Sequence, residues 1–520
     1  MKWELTSDQL DTLWNARESD RADMSKRQDY YDGKHAIVGQ DEQYVDGHDK
    51  SEVVSNWCQY IVNRFVGALT SMPYQLSRDN PLGETDEGQL TEDEVAERDA
   101  QIEAEKWGIE YYGEIAVDNN LEALDGENLR NALIHGYGVE VHSFATDSDE
   151  GEVRITSYDP REWVLVRDTN GVLQIAIRQV TLDANTVYNG ELLDDELKIR
   201  TVYYADQYET FKYVDEDGQK GKWEVIERQT HHYGQVPVVE WRINEQRKSI
   251  LTDAIISQVD AYNAADSQSG DELTQASDAL LVLKGLSADW IEQNAATIRQ
   301  KRVLPLEDTE NSDAKYLSKT LEADRFGKRL ERTRAHIHMM GEVPDVNQIV
   351  GTTGATSGIA LKLMFTPMQE AASGMIAWLK KCMRDRVNLI NAMSAKQTNR
   401  SEISNYVVGI QFQIPVNRIE EWQYIGSLDG IVSARTKLEL LHDINDPERE
   451  LQALAFEQKS QLPELEGPEA IAANERKVAE TAVSMEAKAQ EMIESIGASV
   501  RDAMERLVLR KVEAPSEPAA

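Results

Sequence analysis

The sequence is poor in cysteine, with only Cys58 and Cys382 among its 520 residues. Two cysteines are too few for a disulfide framework and do not form a zinc-binding pattern, so a reducing cytoplasm is the expected environment. No stretch approaches the roughly 20 apolar residues of a membrane-spanning helix. The opening residues, MKWELTSDQLDTLW, fit neither a secretory signal nor an Arg-rich transit peptide. Disulfide-rich, membrane-embedded and secreted classes are therefore disfavoured.

Basic residues are scarce relative to acidic ones. The chain has 55 Lys and Arg against 93 Asp and Glu, which gives a formal net charge of −38. A protein that grips DNA normally carries a basic patch, because Lys and Arg contacts release phosphate counterions. The chain as a whole is therefore expected to repel nucleic acid. Two interpretations stay open: a well-solvated surface, or a surface that must not adhere to DNA passing nearby.

Catalytic patterns are also lacking. The Gly-rich residues 347–358, NQIVGTTGATSG, have neither the Gly-Lys-Ser/Thr end of a phosphate-binding loop nor the spacing of a dinucleotide fold. His336 and His338 are two residues apart on an expected helix, so they do not share a face, and no carboxylate completes a metal pattern. Ser357 lacks the hydrolase G-x-S-x-G context and is interpreted as a helix N-cap. The sequence predicts no catalytic residue, no metal site and no cofactor.

The chain does contain a clear order of helical and strand-like segments. Its length exceeds that of a single compact core, so several domains are expected. Apolar spacing predicts one amphipathic helix over 6–30 and another over 107–135 that ends at Gly136, with the acidic residues 79–106 exposed. Eight runs between 137 and 241 are typical of strands: VEVHSF, VRITSY, WVLVRD, LQIAIRQV, IRTVYYA, TFKYV, WEVIER and PVVEW.

Two later helices carry opposite charge. Residues 251–280 contain acids and no Lys or Arg, whereas residues 319–340 are rich in bases. We expect these helices to lie beside each other, within one subunit or between neighbours, although each exposed ion pair is worth only ~0–1 kcal/mol. The residues expected to take part are Asp253, Asp260, Asp266, Asp271, Arg325, Lys328, Arg329 and Arg332.

A long helix is predicted from about Ile359 to Met393. Pro367 falls well inside it, where the missing N–H and the ring clash should kink the axis. A strand-like run follows at 406–415. Residues 418–512 have a mostly helical composition and precede a frayed tail.

Several segments, taken in order, resemble the portal (head-to-tail connector) proteins of long-tailed double-stranded DNA bacteriophages. The most specific is Val343-Pro344-Asp345 followed by TSGIALK at 356–362. The others are YYDGKH at 30–35, Asn56 with IVN at 61–63, NLRNALIHGYG at 128–138, YDP at 158–160, QVPVV at 235–239, VDAYN at 259–263, FQIP at 412–415 and GIVS at 430–433. The sequence departs from the plainest family pattern at 351–356 and 79–106.

The resemblance implies an α+β fold, mainly helical, assembled as a ring of usually twelve subunits. The implied regions are a wing at 1–250, stem helices at 251–280 and 319–346, a clip at 281–318, a tunnel loop at 347–358, a long kinked helix and wing strand at 359–430, a crown at 431–512 and a disordered tail at 513–520. The tunnel-loop residues implied to line a DNA channel are Asn347, Gln348, Ile349, Val350, Gly351, Thr352, Thr353, Gly354, Ala355, Thr356 and Ser357.

The resemblance also implies a function without enzymatic activity. The ring would sit at one capsid vertex of the virion, after assembly in the host cytoplasm, and double-stranded DNA would pass through it. The implied partners are further copies of the chain, the terminase large subunit, major capsid and scaffold proteins, and a head-completion or adaptor protein, with no membrane. Two alternatives stay open: another phage structural protein, such as a scaffold or head–tail adaptor, and an acidic enzyme of unrecognised type.

Overall fold

The structure is a computed structural model that describes most of the first 413 residues and short pieces beyond them. The described residues are 5–39, 51–79, 91–145, 152–188, 190–216, 219–277, 280–284, 313–317, 323–345, 358–397, 402–413 and parts of 422–454. The chain forms two compact units, Met1–Ser427 and Leu428–Ala520. Helices and sheets alternate in blocks along the first unit, which gives the predicted α+β fold.

The first unit opens with helices separated by short breaks. Thr6 caps the first helix through a reciprocal capping box with Gln9, and Thr91 caps the fourth in the same way with Glu94. The helices are α1 (Ser7–Asn15), α2 (Glu18–Tyr31), α3 (Trp57–Leu69), α4 (Glu92–Asp118) and α5 (Leu121–His135).

Two of the predicted helices are wrong in extent. Residues 6–30 form α1 and α2 rather than one helix, because Leu10 packs on one hydrophobic core and Tyr30 on another. The second predicted helix begins at Glu92 rather than 107 and is split where Asn120 adopts a left-handed φ of 48°. The described part of the acidic segment 79–106 is therefore the start of α4, and within it Glu105 is buried rather than exposed.

All eight predicted strands are present in the β region. They are β2 (Tyr137–Ala145), β3 (Glu152–Tyr158), β4 (Trp163–Arg167), β5 (Leu173–Leu182), β8 (Leu197–Tyr203), β9 (Gln207–Glu216), β10 (Gln219–Thr230) and β11 (Val238–Arg242). Three short strands were not predicted: β1 (Gln75–Arg78) precedes the eight, and β6 (Val187–Tyr188) and β7 (Glu191–Leu192) pair with each other. The eight predicted strands form two sheets, with the order β10-β9-β8-β5-β4 in one and β11-β2-β3 in the other. Every pairing is antiparallel.

Three buried clusters hold these layers together. Leu10 of α1 packs on the five-stranded sheet, in one cluster with Val164, Ile177 and Trp223 of that sheet. Trp163 lies with residues of both sheets in a smaller cluster. The largest cluster contains residues from α2 to α5, the three-stranded sheet and the later helices. At the entry to β2, Gly136 has φ of +93°, and a Cβ there would lie 2.1 Å from the Arg247 carbonyl oxygen. Only glycine fits this position.

The later elements of the first unit are mostly helical. They are α6 (Asp253–Ser277), β12 (Leu280–Lys284), β13 (Asp313–Leu317), α7 (Ala323–Met340), α8 (Gly358–Gln397) and β14 (Tyr406–Gly409). β12 pairs with β13, and β14 pairs with β1, both antiparallel. Residues 285–312, between β12 and β13, lie outside the described residues.

The described part of the second unit includes the helix α9 (Ala434–Leu440) and a few helical residues between 450 and 454. Ser433 caps α9 by accepting a hydrogen bond from the Thr436 backbone N–H at 3.2 Å. Most of the other residues of the range 418–512, including all of 455–512, lie outside the described residues.

Candidate functional site

The predicted site residues divide into three groups in the structure. The loop residues 347–357 lie outside the described part of the chain. The eight charged residues lie on α6 and α7, which contact each other. Pro367 lies inside α8, which continues through it without interruption, and the axis angle there stays a prediction.

The helices α6 and α7 run in opposite directions. The chain leaves α6 at Ser277, passes through the paired strands β12 and β13, and enters α7 at Ala323. Tyr262 on α6 and His338 on α7 lie at the same height along the two helices, because both contact Trp57. The Trp57 ring lies 5.6 Å from that of Tyr262 and 5.3 Å from that of His338. Tyr262 precedes Ser277, the end of α6, by as many residues as His338 follows Ala323, the start of α7. Antiparallel helices packed in register have this relation.

An extended segment before α3, residues 51–55, is bound along α6. The backbone N–H groups of Ser51, Val53 and Ser55 donate to Asp271 Oδ1 at 2.7 Å, Ser267 Oγ at 2.9 Å and Asn263 Oδ1 at 3.0 Å. Every second residue of an extended chain advances about 6.6 Å, and every fourth residue of a helix advances about 6 Å, so the two repeats match. We call residues 51–55 the strap.

The acidic residues of α6 have partners other than the bases of α7. Asp253 pairs with Lys26 at 3.1 Å, and Asp260 accepts hydrogen bonds from the Tyr30 hydroxyl at 2.8 and 2.9 Å. Asp271 binds the strap, and Asp266 is half-buried beside Tyr262. Within the described residues of one subunit, the structure does not bring these acids to the predicted bases.

The long helix α8 is anchored by a buried stripe that begins immediately after Pro367. From Met368 onward a buried residue recurs every three or four positions, whereas Lys362 and Leu363 before the proline are exposed. The buried residues of the stripe are Met368, Ala372, Met375, Leu379, Cys382, Met383, Arg386, Val387, Leu389, Ile390 and Met393.

Arg386 is the charged member of that stripe and forms the centre of a fully buried polar network. Its Nε and Nη2 donate to both carboxylate oxygens of Glu140 at 2.9 and 2.6 Å, and Nη2 also donates to Asp125 at 2.5 Å. The Glu140 carboxylate further accepts from Asn128 at 2.8 Å and from Trp241 at 2.9 Å. The network therefore ties α8 to α5, β2 and β11 at one point.

The pKa values of the two carboxylates of this network are shifted in opposite directions. Burial alone would raise the pKa of Glu140, but Arg386 and the hydrogen bond to His142 lower it to about 2. Burial raises the pKa of Asp125 to about 6 against the opposing effect of Arg386. The difference arises because Glu140 accepts two hydrogen bonds from the guanidinium, from Nε and Nη2, and more from other donors, whereas Asp125 accepts one.

This network was not predicted from the sequence. The signal was present, because Arg386 recurs in helical register with Leu379, Met383 and Ile390 and is the one charge on that apolar face. A lone arginine in such a stripe indicates a buried partner, but it does not identify Glu140 on a distant strand.

The described residues contain no cluster of three or more His, Cys, Asp or Glu side chains that could hold a metal ion. Within the same residues, no helix is long and apolar enough to cross a membrane. Cys58 and Cys382 are both buried and unpaired, and burial raises the pKa of each thiol to about 12.

Comparison with known proteins identifies the family. No curated protein matches the chain. Among solved structures, one described as the neck of an empty GTA particle computed with C6 symmetry matches with a TM-score of 0.40 and 12% identity, over 74% of this chain and 90% of that chain. A family model described as phage portal protein, SPP1 Gp6-like, matches residues 10–464. The chain therefore belongs to this phage portal protein family, whose members are structural proteins and not enzymes.

Proposed function

We propose that this protein is the subunit of a ring at one vertex of a phage capsid, with a central channel through which double-stranded DNA is packaged and ejected. The observation that carries the proposal is the family match over residues 10–464. The antiparallel pair of α6 and α7, joined through β12 and β13, supports it, since two long helices with a paired-strand end suit the stem and clip of such a ring.

We propose the regions of the chain that the resemblance of the sequence implies. The wing is residues 1–250 with 359–430, the stem is 251–280 and 319–346, and the clip is 281–318. The tunnel loop is 347–358, and the crown is 431–512. From Met368 onward α8 is anchored to the part proposed as the wing, because Arg386 fixes that helix to two strands and a second helix.

The charge of the chain suits a channel that DNA slides through. A subunit carries a formal net charge of −38, and a ring multiplies this number by its subunit count. Acidic residues lining a channel weaken adhesion of phosphates, because binding to DNA gains its free energy from cationic contacts that release counterions. The ATPase activity would belong to the terminase partner that docks at the clip, and head-completion proteins would bind there later.

Negative-stain electron microscopy of the purified full-length chain tests the proposal. We expect closed rings with a central hole. A scaffold or head–tail adaptor without a channel gives no such rings, and their absence under all conditions of assembly contradicts the proposal.

The tunnel loop provides a second test of the channel. Residues 347–357 contain two glycines for backbone freedom, small polar threonines and no charge, so they can lie near a phosphate backbone without gripping it. We expect a cross-link between adjacent subunits, through Thr353→Cys and Ala355→Cys, to leave ring and procapsid assembly intact and to stop DNA packaging. Normal packaging in fully cross-linked particles removes this loop from the mechanism.

A further inference from the structure

The pair of helices α6 and α7 has a basic outer face on α7. Arg325, Lys328, Arg329 and Arg332 are all exposed, and positions 325, 329 and 332 recur at helical spacing. The side of α7 that approaches α6 is different, since it carries Arg334, which interacts electrostatically with Tyr262, and His338, which shares the Trp57 contact. At about 100° per residue, Arg334 and His338 lie on the opposite side of the helix from the basic face.

The outer face of α6 carries an acid-lined groove. The side of α6 that approaches α7 contains Tyr262 and Asp266, and helical geometry puts Asp260, Ala264 and Asp271 on the opposite side. The groove has a volume of about 430 Å³ and is lined by Ala36, Ile37, Asp260, Ala264, Ser267, Gln268 and Asp271. A carboxylate accepts about four hydrogen bonds, so Asp260 and Asp271 retain acceptor capacity beside their Tyr30 and Ser51 bonds.

One helix pair therefore presents an acidic groove on one outer side and a basic face on the other. Such a pair is complementary to a second copy of itself placed alongside in the same orientation. Repeated by rotation, this heterologous contact closes a ring.

Rotational symmetry also fixes which residues meet. In the proposed ring we take the helix pair to run along the ring axis. A rotation about that axis contains no shift along it, so a residue in the neighbouring copy lies at the same level as in its own subunit. Tyr262 and His338 share one level through Trp57. Asp271 and Arg329 are each nine residues from that level toward the paired strands, so they share a level too. Asp260 lies level with Met340 instead, which carries no charge.

We infer that the groove on α6 binds the basic face of α7 from the neighbouring subunit, with Asp271 as the partner of Arg329 and Gln268 level with Arg332. This inference rests on the proposed ring and specifies how adjacent stems recognise each other. The inference gives the two acids of the groove different roles. Asp271 pairs with a base, whereas Asp260 does not reach one.

Disulfide trapping in assembled rings tests the contact directly. The variant Gln268→Cys with Arg332→Cys should form bonds between copies under mild oxidation, and denaturing gels should show a ladder of covalent oligomers. The matched control is Gln268→Cys with Arg325→Cys, which displaces the second cysteine by about 10 Å along α7 and should give no ladder. The native Cys58 and Cys382 are buried and should not contribute.

Charge variants test the energetic part of the inference. Asp271→Asn should weaken subunit association about two- to fivefold, measured as the salt dependence of ring dissociation, because one exposed ion pair per interface is lost. Asp260→Asn keeps its acceptor oxygen for Tyr30 and should leave association unchanged. Arg329→Gln should weaken association as Asp271→Asn does, and the combination of the two should weaken it little further, because both remove the same pair.

The outcomes distinguish the inference from the proposed function. Failure of the unmodified chain to form rings overturns both. Rings that form but show no ladder with the Gln268 and Arg332 pair, or equal effects of Asp260→Asn and Asp271→Asn, overturn the inference alone. Rings that assemble normally with Arg329→Glu and Arg332→Glu but no longer package DNA assign the basic face to DNA and also overturn it.

Discussion

At the scale of single residues, the main feature is a charged centre inside the core. Arg386 is fully buried, and burial alone would lower its pKa, but Asp125 and Glu140 raise it well above the usual value. A buried ion pair adds little net stability compared with apolar packing, yet removing one partner leaves an uncompensated charge. The network therefore fixes where α8 meets the sheet more than it stabilises the fold.

The first prediction concerns Glu140, which accepts hydrogen bonds from Nε and Nη2 of Arg386. Glu140→Gln should lower the free energy of unfolding by about 3 kcal/mol at neutral pH, since it removes the carboxylate that accepts two hydrogen bonds of the buried guanidinium and leaves Asp125 as the acid that binds it. Chemical denaturation followed by tryptophan fluorescence measures this change. Asp125→Asn is the matched control, because it removes the other carboxyl charge from the same guanidinium. Equal destabilisation by both variants would show that the two carboxylates hold Arg386 equally, contrary to this prediction.

The second prediction concerns the pH dependence of Asp125. Its pKa is raised to about 6, above the value of roughly 3.9 in an unfolded chain. Between these two pH values the Asp125 carboxyl is mostly protonated in the folded chain and mostly ionised in the unfolded chain. Its contribution to stability is therefore complete below about pH 4 and is lost as the pH rises through 6.

Asp125→Asn keeps an oxygen for Arg386 and carries no charge at any pH. The variant should melt at a higher temperature than the unmodified chain at pH 8 and show a smaller difference at pH 4. Thermal unfolding at the two pH values measures this. A destabilisation of the same size at both pH values contradicts the raised pKa.

At the scale of secondary-structure elements, the strap and α6 form a unit that rests on side-chain acceptors. Ser267 is buried, and its hydroxyl accepts the Val53 N–H at 2.9 Å. We expect Ser267→Ala to speed hydrogen exchange of the Val53 amide about fivefold, since one hydrogen bond is worth about 1 kcal/mol. Exchange measured by mass spectrometry or NMR checks this. Ser257→Ala, on an exposed position of the same helix, is the control, and an equal effect of both variants excludes the role of Ser267.

The sequence predicted the strands well and the helix breaks poorly. Alternating side chains located all eight strands, because one face of each packs on a core. The break at Asn120 has no clear sequence signal, because asparagine is also tolerated inside helices. In the structure Asn120 is left-handed, and the preceding Asn119 side chain donates to the Val153 carbonyl and accepts from the Ile155 N–H of β3. Contacts between distant segments decide such breaks, and local spacing does not encode them.

The candidate site was predicted only in part. The opposite charges of α6 and α7 indicated that the two helices lie together, and they do. The partners within one subunit could not be deduced, because Asp260 binds Tyr30, and Asp271 binds Ser51, both far away along the chain. The cross-subunit pairing stays a prediction.

At the scale of the whole molecule, the proposed function depends on closure into a ring. Each chain has an acidic groove on one side of its helix pair and a basic face on the other, so association has no reason to stop at a dimer. Repetition of weak exposed pairs around the ring is expected to make assembly sensitive to salt.

Native mass spectrometry of the full-length chain tests ring closure without any substitution. We expect one discrete closed assembly, near twelve copies, that persists over a range of protein concentrations and loses subunits as salt rises. Only monomers or dimers over a broad range of protein and salt concentrations would contradict the ring and, with it, the channel.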